Sequence, residues 1–97
     1  MGQREDILLL LSRHRAEWER LGVKSLALFG SAARDELQSD SDVDILVEFA
    51  APVTFDRYME LKFALERVLG RPVDLVTSRA LRPRLRARLE KELIRVP

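Results

Sequence analysis

The chain has 97 residues and a mass of 11.2 kDa, so we expect residues 1–97 to fold as a single domain. Hydrophobic residues make up 46% and charged residues 34%, a composition too apolar for a disordered chain. The sequence contains no cysteine, which excludes disulfides, zinc–thiolate sites and thiol nucleophiles and agrees with a reducing cytoplasm. With 17 basic and 16 acidic residues the net charge is +1, so the chain as a whole is neither a polycation nor a polyanion.

The first half of the sequence predicts a helix, a strand, a short helix and a second strand. Apolar residues recur at helical spacing over residues 5–21, and Gly22 stands where a glycine commonly follows a helix. Residues 23–29 form a short apolar run, which is typical of a buried strand. A short helix is expected within residues 32–37, and Val43–Phe49 is a second apolar strand.

The second half predicts a helix, a strand and a helix. Thr54 is suited to cap a helix whose apolar residues continue at helical spacing to Leu69, where Gly70 closes it. Val73–Thr77 is a third short strand. Pro83 suits the first turn of a last helix, on which three leucines share one face: Leu85, Leu89 and Leu93.

The predicted order is therefore α-β-α-β-α-β-α, which indicates an α+β fold, close to α/β, with a small three-stranded sheet flanked by helices. Because the connection between the first two strands is short, these strands can pair antiparallel, and the sheet is then mixed. No membrane span is expected, since the apolar run at residues 7–11 is far too short to cross a bilayer. No signal-peptide cleavage site follows that run.

Gly30 and Ser31 stand directly after a predicted strand and before a helix start. Glycine lets the backbone approach a ligand closely, and the free N–H groups of a helix start, together with a serine hydroxyl, can cradle a phosphate. A simple turn between a strand and a helix is the alternative.

Three acidic residues are associated with the second and third strands. Asp42 and Asp44 are two apart, so their side chains point to the same face of a strand. Asp44 and Asp74 are each embedded among apolar strand residues, where aspartate is a poor fit. The alternatives are a solvated loop end for Asp42 and a cap of the following turn for Asp74.

If the second and third strands are neighbours, the three carboxylates meet on one face. They cannot all stay ionised unaided, and a hard cation with oxygen ligands such as Mg²⁺ removes the conflict. A phosphate cradle beside a metal held by carboxylates indicates phosphoryl or nucleotidyl transfer.

Three segments resemble a known superfamily. Residues 28–34, Leu-Phe-Gly-Ser-Ala-Ala-Arg, and residues 41–47, Ser-Asp-Val-Asp-Ile-Leu-Val, resemble the signature of the nucleotidyltransferases that include DNA polymerase β. Residues 73–76, Val-Asp-Leu-Val, resemble its third, acidic strand. The short length and the Ser-Asp-x-Asp form are similar to the minimal nucleotidyltransferases, the MntA-like antitoxins that are paired with HEPN-domain proteins.

The resemblance implies a role for each matching position. Gly30, Ser31 and Arg34 would bind the triphosphate of ATP. The acids would be the catalytic residues and would hold two Mg²⁺ ions, with the third acid also helping to deprotonate the attacking hydroxyl: Asp42, Asp44 and Asp74. The chain departs from the family pattern at Asp35, where these proteins often carry glycine.

The resemblance also implies a reaction and a partner. AMP would pass from ATP to a hydroxyl, with tyrosine the expected acceptor, on a HEPN-domain toxin protein in the cytoplasm. A non-catalytic antitoxin that neutralises its partner by docking is the alternative. Whether the chain forms a homo- or hetero-oligomer is left open.

Two further features concern partner surfaces. Met59 and Phe63 lie off the main apolar stripe of their helix and suggest contact with another chain, as does Trp18, although a wider buried stripe is the alternative. The arginine-rich tail permits a nucleic-acid hypothesis, but Glu90 and Glu92 interrupt it and aromatic residues are absent there. A nucleic-acid partner is therefore not expected.

Overall fold

The computed structural model describes residues 3–97, which form helices packed on a mixed β-sheet. The helices are α1 (Gln3–Arg13), α2 (Arg15–Arg20), α3 (Gly30–Ala33), α4 (Phe55–Leu69) and α5 (Pro83–Glu90). The strands are β1 (Val23–Leu28), β2 (Val43–Phe49), β3 (Val73–Thr77) and β4 (Ile94–Arg95). A 3₁₀ turn at Ser78–Ala80 follows β3. Within the described residues, no helix is long and apolar enough to cross a membrane.

The sheet has the strand order β3-β2-β1-β4. β1 runs antiparallel to β2, and β2 runs parallel to β3, so the sheet is mixed, as the short connection after β1 allows. The α+β fold class is confirmed, but the sheet has four strands instead of the predicted three. Parallel pairing of β2 and β3 is possible because α4 crosses between them.

One face of the sheet forms the hydrophobic core. Val43, Ile45 and Val47 alternate along β2 and are fully buried. Leu61 and Leu65 of α4, together with apolar residues of α1, complete the core cluster on that side. The opposite face is covered only in part by α5, which has no buried residue of its own.

Two caps fix the ends of α4 where the sequence predicted them. The Thr54 hydroxyl accepts a hydrogen bond from the Arg57 backbone N–H at 3.2 Å. Gly70 ends the helix in the left-handed conformation, with φ of 66°. These caps define the position from which the chain enters β3.

The first predicted helix is broken at His14. The Trp18 indole N–H donates to the Leu11 carbonyl at 2.8 Å, and a ring nitrogen of His14 lies 2.9 Å from the Leu10 carbonyl oxygen. These side-chain bonds occupy carbonyls at the end of α1 and compete with continuation of the helix. Trp18 is 3% exposed, so its expected contact with another chain is wrong.

The last predicted helix is shorter than expected, and the chain after it forms the fourth strand. α5 ends at Glu90, and the Leu93 backbone N–H bonds to the Leu89 carbonyl in the turn that follows. Ile94 and Arg95 then pair with β1, whose edge would otherwise be open. A two-residue strand has too little alternation to be detected in the sequence.

Candidate active site

Asp44 and Asp74 are direct partners on the parallel strands β2 and β3. The neighbours of Asp44 on each side, Val43 and Ile45, are buried in the core, so alternation directs Asp44 to the opposite face of the sheet. Asp74 alternates in the same way between Val73 and a buried leucine. The two carboxylates therefore share the face that lies away from the core, at the ends where both strands begin.

Asp42 precedes β2 and is exposed. Its charge helps to raise the pKa of Asp44, so Asp42 lies close enough to Asp44 to interact with it electrostatically. The three acids predicted from the sequence thus lie in one region of the molecule.

Gly30 brings the backbone against this acidic group. The Phe29 N–H donates to the Asp44 carbonyl at 3.1 Å, which fixes the end of β1 beside the start of β2. Gly30 has a φ of 62°, and a Cβ atom at this position would overlap the Oδ2 atom of Asp44. Only glycine satisfies both conditions. Ser31, which is half-buried, follows in the first turn of α3. α3 begins at Gly30, two residues earlier than predicted.

The pKa of Asp44 lies above its ordinary value of 3.8. Burial is the largest cause, followed by the charges of Asp74 and Asp42, whereas the Arg34 charge acts in the opposite direction. None of the ion pairs formed among residues 3–97 includes any of the three acids. The region therefore carries negative charge that no basic side chain of the described chain neutralises by direct contact.

The chemistry of the three carboxylates suits a hard divalent cation. All three side chains offer carboxylate oxygens, the ligands that Mg²⁺ prefers. Burial and, after it, the charges of Asp74 and Asp42 raise the pKa of Asp44, and a cation would relieve the part that is due to like charges. In the described residues, no three Asp, Glu, His or Cys side chains are close enough together to hold a metal ion as they stand. Side-chain rotation would have to bring the carboxylates together.

Arg34 and Asp35 complete the turn after α3. The Arg34 Nε donates to Glu36 at 3.2 Å, and its Nη1 lies 3.8 Å from Glu92, so the guanidinium contacts carboxylates on the surface. Asp35 adopts the left-handed conformation, with φ of 59°, at the position where the proteins that the sequence resembles often have glycine. Its Oδ1 accepts a hydrogen bond from the Arg4 backbone N–H at 3.0 Å, which joins this turn to α1.

Two residues that the sequence did not single out for the site hold β3, the strand of Asp74. The Tyr58 hydroxyl donates to the Leu75 carbonyl, and Glu66 accepts from the Val73 N–H at 2.9 Å. Both side chains belong to α4, whose apolar stripe was visible in the sequence. No sequence signal shows that a stripe tyrosine or a surface glutamate bonds to a distant backbone.

Comparison with known proteins gives three results. Residues 11–96 match the family described as Nucleotidyltransferase domain. Protein adenylyltransferase MntA of Thermococcus cleftensis is 39% identical over 93 residues, which cover 95% of this chain and 94% of that protein. A solved structure assigned as a minimal nucleotidyltransferase has a TM-score of 0.71 at 42% identity, over 95% of this chain and 87% of the other.

A chain of the solved complex of tri-AMPylated Shewanella oneidensis HEPN toxin with MNT antitoxin shares the fold. Its TM-score is 0.66 at 22% identity, over 93% of this chain and 71% of that chain.

Proposed function

This chain belongs to the nucleotidyltransferase family in its minimal, MntA-like form, and from that membership we propose that it transfers AMP from ATP to a protein hydroxyl. The acceptor in this proposal is a tyrosine of a HEPN-type toxin in the cytoplasm, which the chain neutralises as an antitoxin. The Thermococcus relative, named a protein adenylyltransferase, supports the reaction. The Shewanella complex, which joins an MNT antitoxin to an AMPylated HEPN toxin, supports the choice of partner.

The observation that carries the proposal is the pairing of Asp44 with Asp74 beside the backbone of Gly30. An enzyme of this kind must hold a polyphosphate next to a cation, and a glycine without a side chain lets the phosphates approach the carboxylates closely. Gly30 and Ser31 bind the triphosphate in this proposal, with the N–H groups at the start of α3 as donors.

The three acids take separate tasks in the reaction. Asp42 and Asp44 would hold Mg²⁺ together with Asp74. When bound, the metal supplies positive charge that offsets the charge developing on the phosphates. Asp74, which is exposed at the edge strand, also accepts the proton of the attacking hydroxyl. The hydroxyl oxygen bonds to the α-phosphorus of ATP, the bond to the β-phosphate oxygen breaks, and pyrophosphate leaves.

Arg34 is a further phosphate ligand in this proposal. Its contacts with Glu36 and Glu92 are exposed, and such pairs contribute little free energy. The side chain can therefore exchange these carboxylates for the more highly charged phosphates of ATP at low cost.

The test is transfer of label from α-labelled ATP to the co-purified HEPN partner in the presence of Mg²⁺. The Asp44→Asn variant should lose about 100-fold or more in rate, because both the metal and the charge distribution depend on this carboxylate. Asp40→Asn is the matched control, since Asp40 is an exposed acid in the preceding loop, and it should label at the wild-type rate.

Absence of label in the wild type, with Asp44→Asn indistinguishable from it, would refute the transfer reaction. Toxin suppression that survives replacement of all three acids would identify the chain as an antitoxin that acts by docking alone. Both outcomes are measured with the same set of purified pairs.

A further inference from the structure

The face of the sheet that carries the acids also carries a groove at its other end. The groove has a volume of about 690 Å³ and is bounded by the ends of β2 and β3, the loop before α4, and one residue of α5. Glu48 of β2 lines it, four residues after Asp44, which corresponds to about 13 Å along an extended strand. Because residues two apart share a face, Glu48 lies on the same side of β2 as Asp44, and Val47 and Phe49 line the groove where it passes around the end of the strand.

Basic side chains from three different elements converge on this groove. Lys24 comes from β1, Arg79 from the 3₁₀ turn and Arg86 from α5. Lys24 lies where the register of β1 with β2 shifts, between Val23 and Ser25, and such an irregularity redirects a side chain. Among residues 3–97, neither Lys24 nor Arg79 takes part in an ion pair.

The remaining charges do not neutralise the three cations. Arg86 lies 3.7 Å from Glu90, a pair in which both side chains are more than half exposed. Glu48 is the acidic residue that lines the groove, and it lies 3.4 Å from the Ser25 hydroxyl. The groove is therefore positive, whereas the region of Asp42, Asp44 and Asp74 is negative.

We propose that this groove binds an acidic part of the acceptor protein segment, about four residues away from the hydroxyl that receives AMP. The inference rests on the proposed function, because it names the class of acceptor that the same site takes. Opposite charges at the two ends of one face orient an acceptor in a single direction. The neutral hydroxyl enters the acidic end, and carboxylates of the same segment contact Lys24, Arg79 and Arg86.

The other wall of the groove suits the apolar part of such a segment. Pro52, Val53 and Phe55 line it, and the Phe55 side chain is 74% exposed. A large exposed aromatic residue beside basic groups is a common arrangement at interfaces, where it contributes contact area next to charge pairing. The groove thus selects a peptide chain that carries both acidic and apolar residues.

The experiment measures binding before it measures transfer. The probe is a fluorescein-labelled peptide with a central tyrosine and pairs of glutamates four residues to each side, and its match has lysines in place of the glutamates. We expect the glutamate peptide to bind with an anisotropy change that weakens as salt rises, and the lysine peptide to bind at least about tenfold more weakly. The double variant Lys24→Glu, Arg79→Glu should lose about tenfold or more in affinity for the glutamate peptide.

The double variant Arg84→Glu, Arg88→Glu is the matched control, because Arg84 and Arg88 are exposed arginines of α5 that do not line the groove. It changes the net charge by the same amount as the groove variant and should bind nearly as the wild type does. Circular dichroism checks that each variant is folded. Equal losses in the control and in the groove variant would overturn the proposal, since the effect would then follow net charge alone.

Three further outcomes separate this inference from the proposed function and from nucleotide binding in the groove. Replacing the central tyrosine by phenylalanine should leave peptide binding intact and abolish labelling by α-labelled ATP. Charge-dependent binding with no labelling of any acceptor supports the groove and refutes the transfer. AMP binding that is measured by calorimetry without the peptide, and that Arg79→Glu abolishes, would identify a nucleotide site and overturn the inference.

Discussion

The backbone of Gly30 lies so close to the carboxylate of Asp44 that no side chain fits between them. Gly30 also has a positive φ of 62°, so two independent constraints demand glycine at this position. The contact places the proposed phosphate-binding turn directly against the proposed metal ligand. Any change that separates these two residues should affect nucleotide binding and fold stability together.

We expect Gly30→Ala to destabilise the fold and to abolish AMP transfer. The left-handed backbone costs alanine about 1–2 kcal/mol, and the overlap with Asp44 adds to this cost or displaces the carboxylate. Chemical denaturation gives the free energy of unfolding, and binding of a fluorescent ATP analogue gives nucleotide affinity.

Gly70→Ala is the control for backbone strain. Gly70 has a similar φ of 66°, but a Cβ there meets nothing within 4 Å. This variant should lose about 1–2 kcal/mol of stability and keep its transfer rate once folded. If the two variants behave alike, the contact between Gly30 and Asp44 has no role beyond strain.

Asp44→Asn should have opposite effects on stability without and with Mg²⁺. Burial and the charges of Asp74 and Asp42 raise the pKa of Asp44, so the ionised form is disfavoured in the folded chain. In EDTA the variant should melt a few degrees higher, an effect limited because water screens part of the repulsion. In Mg²⁺ the wild type should gain stability through binding and the variant should not.

The pH dependence of this difference follows from the direction of the pKa shift. A raised pKa means that the folded chain binds a proton more tightly than the unfolded chain, whose value is near 3.8. Protonation of Asp44 therefore stabilises the folded chain. This stabilisation is fully present below pH 3.8 and is lost as the pH rises through the raised pKa of the folded chain. The advantage of Asp44→Asn in EDTA should therefore shrink as the pH falls towards 3.8. An advantage independent of pH would contradict this account.

The sequence predicted the strands that carry the acids better than the segments that flank them. Val43–Phe49 and Val73–Thr77 are the observed bounds of β2 and β3, because an apolar run between polar or proline-containing turns determines both ends. The break at His14 could not be predicted, since it depends on the Trp18 indole reaching back to Leu11. β4 depends on the free edge of β1, which exists only after the sheet has formed.

In the candidate site, too, some side-chain positions follow from the local sequence, and others depend on pairing between distant strands. Alternation places Asp42 and Asp44 on one face from the sequence alone, but their nearness to Asp74 requires that β2 and β3 be neighbours in parallel register. From the sequence alone, the pairing of β2 with β3 could be stated only as a condition for the three acids to meet. The position of Lys24 in the groove depends on an irregular pairing between β1 and β2 that has no sequence signature.

Replacements of Asp35 should separate backbone strain from helix capping. In Asp35→Ala, alanine must adopt the left-handed backbone conformation, and the hydrogen bond from the Arg4 N–H is lost. We therefore expect the free energy of unfolding to fall by about 2 kcal/mol. Asp35→Gly loses the bond but relieves the strain and should be nearly neutral. Asp35→Asn tolerates the backbone and can still accept the bond, so it should stay close to the wild type.

The measurement for Asp35 is the free energy of unfolding from urea titrations of the three variants. The expected order of stability places Asn and Gly together above Ala. Equal losses for Gly and Ala would show that the left-handed backbone imposes no constraint, and that the cap on α1 alone explains the aspartate.

Glu66→Gln should weaken the attachment of β3 to α4 and make the free energy of unfolding less sensitive to acidic pH. Glu66 accepts from the Val73 N–H at 2.9 Å and from Lys62 at 3.2 Å, and the bond to the Val73 backbone is the main reason that its pKa lies below the ordinary 4.5. The lowered pKa means that the carboxylate stabilises the fold above pH 4.5 and that this contribution is lost as the pH falls through the lower folded value. At neutral pH we expect a loss of about 1 kcal/mol in the variant, measured by urea denaturation.

Glu60→Gln provides the comparison, because Glu60 is exposed on the same helix and none of the hydrogen bonds or ion pairs of the described residues engages its side chain. It should keep the wild-type stability at neutral pH, where Glu66→Gln is expected to lose about 1 kcal/mol. Since Val73 immediately precedes Asp74, Glu66→Gln should also slow AMP transfer by loosening the strand that presents this acid. A variant that loses stability at neutral pH but keeps the full wild-type transfer rate would show that Asp74 is positioned by its pairing with β2 alone.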